Sequence, residues 1–273
     1  MKNVSEIIEQ GNKNAELPAW LNMRHAWSAS DAKRDEGLTY PDNVIQIKNL
    51  DYKKELDRQK WCEAVELLAS QRTMVEKISE KDSRIFYYNE MDDASNPDSE
   101  RYASNSLFDI YYPSGMDAQT TYPVIVSVHG GGWFYGDKEL YSYYCCHLAS
   151  KGFAVVNFNY RLAPQNKYPA AIEDVAYLIR YIHENAEMLH LDMAKFYMLG
   201  DSAGAQLTAN YCIIAGNAAY RNKLDFFTYD RLPKAVCLNC GAYEMDKRED
   251  NISDWYMKKE DGSYAVSEEQ RKL

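Results

Sequence analysis

Residues 195–216 read KFYMLGDSAGAQLTANYCIIAG, and their order decides the fold. KFYMLG (195–200) is a strand-like piece, AGAQLTANYCIIAG (203–216) reads as a helix, and almost nothing separates them. The junction is Gly200-Asp201-Ser202-Ala203-Gly204, a G-x-S-x-G. A serine forced into so tight a strand-to-helix turn needs neighbours without side chains two positions away on either side. Its hydroxyl then projects alone above the sheet, and the N-terminus of the new helix turns free N–H groups toward the same point.

The same alternation continues on both sides of this junction. YPVIVSV (122–128) is a buried strand, and KELYSYYCCHLASKG (138–152) a helix closed by Gly152. FAVVNFNY (153–160) is a second strand, PAAIEDVAYLIRYIHENAEML (169–189) a long helix, and KAVCLNC (234–240) a strand after the serine helix. Strands alternating with helices of this length predict an α/β protein, with a mostly parallel sheet and helices on both faces. Upstream, RIFYYNEM (84–91) and NSLFDIYYP (105–113) are strand-like and flank a loop-like stretch. Trp61, Val65, Leu68, Val75 and Ile78 predict a helix over about 53–79. Residues 1–50 are polar, with scattered Trp20 and Trp27 and no clear period. The expected division is a helical N-terminal segment at 1–82, a core at 83–243, and a connecting segment at 244–273.

Composition narrows the function classes. The 273 residues are 46% hydrophobic and 13% aromatic, which fits a globular chain and argues against disorder. A net charge of −10 disfavours nucleic acid as a partner, since such proteins show a basic face. No signal-peptide core and no apolar stretch of spanning length appear, so the expectation is a cytoplasmic protein without a membrane span. Of six cysteines, Cys237 and Cys240 have CxxC spacing but no second pair to complete a zinc site, and they read as core thiols. No metal or other cofactor is expected.

A second motif lies two strand–helix units before the serine: His129-Gly130-Gly131-Gly132-Trp133, directly after strand 122–128. Glycines in a row lose much entropy on folding and pack nothing, so bare backbone must be needed there. Acyl transfer builds negative charge on a carbonyl oxygen, and backbone N–H groups converge on that oxygen only where no side chain blocks them. A phosphate cradle would place a lysine at a set position after the glycines, and Lys138 is not at that spacing. His129 precedes the glycines and reads as an organiser of the loop.

HGGGW, NYRLAPQNKYPAAIEDVAYLIRYI and GDSAGA, in this order, resemble the hormone-sensitive-lipase-like group of α/β-hydrolase esterases, from about Tyr122 to Gly216. The resemblance implies an α/β-hydrolase fold with an N-terminal helical cap. It implies Ser202 as nucleophile, Gly131, Gly132 and Ala203 as oxyanion donors, and Gly130 shaping the loop. It further implies short- to medium-chain carboxylic esters as small-molecule substrates and no cofactor, with N-terminal aromatics lining an acyl pocket. Asp201 reads as a hydrogen-bond partner beside the nucleophile rather than a triad acid. Ala205 and Asn159 stand where the group usually has glycine and aspartate.

The larger departure follows Ser202. The group's acid and histidine come after the serine, yet no histidine follows it here; the five are His25, His129, His147, His183 and His190. The sequence therefore reads as a hydrolase lacking its C-terminal strands, with impaired activity. Its last strand would be an exposed edge, open to pairing with a second copy. Two other readings stay open: a non-catalytic ligand-binding relative of the fold, and an aryl formamidase or amidase using the same serine chemistry.

Overall fold

The computed structural model describes residues 19–71, 75–77, 106–116, 120–163 and 166–243. Seven strands form one mixed sheet: β1 (Val44–Asp51), β2 (Val75–Lys77), β3 (Leu107–Pro113), β4 (Tyr122–Val128), β5 (Ala154–Phe158), β6 (Leu191–Asp201) and β7 (Ala235–Asn239). Their spatial order is β2-β1-β3-β5-β4-β6-β7. The β5-β4-β6-β7 half is parallel, and β3 joins it by antiparallel pairs to β5 and β1. The helices are α1 (Ala19–Arg34), α2 (Arg58–Gln71), α3 (Ser142–Ala149), α4 (Ala170–Glu184), α5 (Ala203–Gly216) and the single turn α6 (Ala218–Arg221).

Alternation along the strands separates two apolar layers. Tyr111 and Val155 face one way, onto Cys145, Cys146 and Ala149 of α3. Ile110, Tyr112, Val126 and Val156 face the other, where α4 brings Ile172, Val175, Ile179 and Ile182 from one helical stripe and α5 brings Leu207 and Tyr211. The central strands are buried on both faces, which is why they read as continuous apolar runs rather than alternating ones. The predicted alternation of strand and helix from residue 122 onward is the architecture observed.

The N-terminal expectation needs correction. Within residues 1–82, expected to be a helical cap, Val44–Asp51 is a strand of the same sheet, so the core begins before residue 83. Val44, Ile45, Ile47 and Leu50 carry its burial, and the intervening Gln46, Lys48 and Asn49 broke the apolar pattern. The helix expected over 53–79 stops at Gln71, and Val75–Lys77 pairs in parallel with β1. Trp61 does face the core, against Tyr112 with ring centroids 6.5 Å apart. The strand expected at 84–91 and the segment 244–273 lie outside the described residues. Cys237 and Cys240 are exposed rather than core, because β7 is the sheet's outer strand and every residue of it is solvent-accessible.

Lys138 is fully buried, with its ammonium 2.7 Å from Asp109 and 2.9 Å from Glu139. Lys48 completes the cluster at 2.7 Å from Glu139. The Lys138 N–H donates to the Asn159 side-chain oxygen at 2.7 Å, so the amide at position 159 still supplies the needed acceptor. This cluster anchors the stretch that leads from the glycine loop into α3. No helix among the described residues is long and apolar enough to cross a membrane.

Candidate active site

Sheet register brings the two sequence motifs together. β4 and β6 are parallel neighbours with Val128 opposite Gly200. The chain leaves both strands at the same end, about 5 Å apart, where ligands bind in open α/β sheets. The loop after β4 carries His129–Trp133, and the turn after β6 carries Ser202.

Ser202 is exposed and sits at φ +50°, in the left-handed region that a residue with a β-carbon adopts only at some cost. Its N–H donates to the Asn239 carbonyl at 2.8 Å, tying the turn to the end of β7. Both flanking glycines are required by close approach. A β-carbon at Gly200 would lie 2.4 Å from the Gly204 carbonyl oxygen, and one at Gly204 would lie 2.0 Å from that of Val128. The sequence argument for small residues on both sides of the serine thus has a specific cause: α5 begins in contact with the end of β4. Ala205 is fully buried in the same crossing.

The glycine loop is a tight turn. Gly131 has φ +122° and Gly132 +59°, and a β-carbon at Gly131 would lie 2.0 Å from the Tyr135 carbonyl oxygen. The Gly131 carbonyl accepts from the Tyr135 N–H at 2.9 Å. In a trans peptide the next N–H points the opposite way, so the Gly132 N–H faces out of the turn. His129 acts on the preceding peptide in the same manner. Its Nδ1–H donates to the Gly130 carbonyl at 2.7 Å, which turns the Gly131 N–H away from the ring. The ring is buried and stacked on Tyr160 at 4.1 Å, while the Tyr160 hydroxyl donates to the His129 carbonyl.

Several elements hold this loop. Trp133 Nε1–H donates to Gln206 on the first turn of α5 at 3.1 Å. Arg24 of α1 is buried and donates to the Phe134 and Ala163 carbonyls. Trp27 packs on Phe134 and Tyr135, at 5.0 and 5.7 Å between ring centroids. Thus Trp27, one of the scattered N-terminal tryptophans, lies on the loop that follows β4. Asp201 accepts from the Tyr141 hydroxyl at 2.7 Å, a contact that sequence reading missed because sixty positions separate the two residues.

The histidines are placed elsewhere. His183 and His190 lie at the end of α4 and the start of β6, a strand's length from Ser202, and His183 bonds to Tyr229. His147 is exposed on α3. A cleft of about 340 Å³ opens beside the turn, lined by Leu38, Tyr141, Tyr144, Leu199, Asp201 and Asn239 among others. Among the described residues no group of three or more His, Cys, Asp or Glu could hold a metal ion.

The family model BD-FAE matches residues 108–263. Esterase LipI of Mycobacterium tuberculosis is 37% identical over 101 residues, which are 37% of this chain and 32% of LipI. An ethyl acetate hydrolase of Pseudomonas putida is 32% identical over 116 residues, 42% of this chain and 36% of that protein. The chain thus spans about a third of the length of the curated relatives it matches. In fold it is similar to esterase B from Lactobacillus rhamnosis, with a TM-score of 0.61 at 22% identity, covering 94% of this chain and 64% of that one.

Burial pushes the His129 imidazole down to about 4, against about 6.5 for an unfolded histidine. Between these values the unfolded chain binds more protons, so the contribution is complete above about pH 6.5 and is lost as pH falls toward 4. Urea unfolding at pH 7 and at pH 4 should show His129 accounting for up to about 3 kcal/mol of the loss. His129→Asn, whose amide can still donate to Gly130, should remove that part of the slope. An identical pH profile in the variant would show that His129 binds its proton equally well in the folded and unfolded chains, contradicting the shift.

Proposed function

The chain belongs to the BD-FAE family, and from that membership and the geometry above we propose that it is a carboxylic ester hydrolase chain built on Ser202. One observation carries the reading: an exposed serine in left-handed backbone stands at the end of β6, beside the glycine turn that ends β4. The amides of Gly131, Gly132 and Ala203 are the oxyanion donors in this reading. The first is turned by His129 and the second by its own turn. The third belongs to the first turn of α5, where N–H groups lack intrahelical acceptors. His129, Gly130 and Asp201 shape the loop and the elbow. The names of the relatives, an esterase and an ethyl acetate hydrolase, support short- to medium-chain esters as substrates.

In this chemistry Ser202 Oγ bonds to the ester carbonyl carbon, and negative charge builds on the carbonyl oxygen among the three amides. The alcohol then departs carrying the proton that Oγ gave up, and water releases the acid from the acyl-enzyme. The serine proton needs an acceptor, and a serine without one is a weak nucleophile. No histidine follows Ser202 in this sequence, His129 is engaged at Gly130, and His183 is engaged at Tyr229. We therefore propose that this chain carries the nucleophile and the electrostatic half of the site, and that its own turnover is slow. Oxyanion donors and binding alone still leave a residual rate.

A fluorophosphonate should modify Ser202 slowly but stoichiometrically, as read by peptide mass spectrometry, and Ser202→Ala should abolish the adduct. Folded protein left unmodified at saturating probe would overturn the reading. Comparing p-nitrophenyl acetate with an N-formyl aryl amine separates an esterase from an aryl formamidase.

We also propose that β7 pairs with β7 of a second copy. Among the described residues it is an outer strand with no strand on its far side, and Val236 and Leu238 remain 40% and 36% exposed on it. Light scattering should show association that grows with concentration, and Leu238→Lys should shift it to monomer with an unchanged circular dichroism spectrum. A monomer at every concentration would contradict this pairing.

A further inference from the structure

Tyr141 ends the 3-10 turn Lys138–Tyr141, and its phenolic oxygen meets both halves of the site. It donates to Asp201 Oδ2 at 2.7 Å, one residue before the nucleophile. Gly130 itself lies against this pair, since a β-carbon there would sit 2.9 Å from Asp201 Oδ2 and 3.1 Å from the Tyr141 oxygen. The two neighbouring tyrosines take no part: Tyr143 stacks on Tyr40, and Tyr144 is half exposed.

The consequence for the glycine loop is direct. With its carbonyl held by His129 and its α-carbon packed against the Tyr141–Asp201 pair, Gly130 is confined on both sides. The His129 bond orients the plane of the Gly131 N–H. Desolvation together with the neighbouring Asp201 carboxylate also pushes the Tyr141 hydroxyl well above its usual range, so it remains a donor to Asp201 at all working pH.

We infer that Tyr141 is a positioning residue that sets the spacing between the Gly131 and Gly132 amides and the Ser202 hydroxyl, by bonding Asp201 with the same oxygen that packs against Gly130. The inference rests on the reading of Ser202 as nucleophile. Tyrosine at 141 suits this role because its hydroxyl donates to the Asp201 carboxylate while its ring fills the space beside Gly130, and phenylalanine lacks that donor.

The test uses the full chain labelled with ¹⁵N-glycine, as wild type, Tyr141→Phe, Asp201→Ala and the double variant. In Tyr141→Phe the Gly130 resonances should shift, and exchange of the Gly131 and Gly132 amides should accelerate. Fluorophosphonate capture of Ser202 should slow about tenfold in its maximal rate, the size expected for one lost hydrogen bond, with half-saturation unchanged. Asp201→Ala, which releases only the elbow end, serves where Tyr141→Phe fails to fold. The double variant should be slower than either single by much less than the product of their effects. An unchanged glycine spectrum in Tyr141→Phe, or capture at the wild-type rate, overturns the inference. An unmodified wild type defeats the nucleophile reading instead, and the glycine spectra then report on the bridge alone.

Discussion

The first turn of α5 crosses the end of β4 at a distance that only glycine permits. A β-carbon at Gly204 would lie 2.0 Å from the Val128 carbonyl oxygen and 2.5 Å from that of His129. That contact fixes where the helix starts, and so how sharply the chain must turn after β6. Ser202 takes up the turn in left-handed backbone and is left exposed at its apex. The same contact sets the elbow against the two residues that open the glycine loop. Parallel pairing of β4 and β6 supplies the remaining constraint, by ending both strands at one level. Ser202 and the glycine-loop amides are therefore neighbours through backbone geometry, before any side chain acts.

Side chains then give the loop one conformation. Glycines in a row would sample many, and the entropy of fixing them has to be offset by bonds to their carbonyls and amides. His129 supplies such a bond to Gly130, Tyr160 holds the His129 carbonyl and Tyr141 the neighbouring Asp201, while Arg24, Trp27 and Gln206 act on the stretch that follows. Most of these groups are buried or half-buried, where an unmade hydrogen bond costs roughly 1–3 kcal/mol, so each one specifies geometry strongly. The buried cluster of Lys138 with Asp109 and Glu139 anchors the chain just beyond. In the proposed chemistry, donors preorganised in this way would need no rearrangement when charge develops on a bound carbonyl.

The parallel half of the sheet was legible in the sequence because its strands are buried on both faces and its helices carry clear stripes. The helix predicted at 203–216 begins and ends where α5 does, since the glycines and the small apolar run mark both of its limits. β1 was not legible. Its buried Gln46 and Asn49 interrupt the apolar run, and its partners lie far along the chain. Val75 continued a helical spacing yet belongs to a strand, where pairing with β1 overrides local pattern. Cys237 and Cys240 look like core residues locally, and only the position of β7 at the sheet's edge exposes them. At the site, both motifs could be read from the chain, whereas the Tyr141–Asp201 contact could not, because no local pattern marks a pair so far apart.

A crystal structure of this chain carrying a phosphonate on Ser202 tests the central claim most directly. The account requires the phosphonyl oxygen to lie within about 3 Å of the Gly131, Gly132 and Ala203 amide nitrogens, with the glycine turn unmoved. An adduct whose oxygen points into solvent, away from those amides, would contradict it.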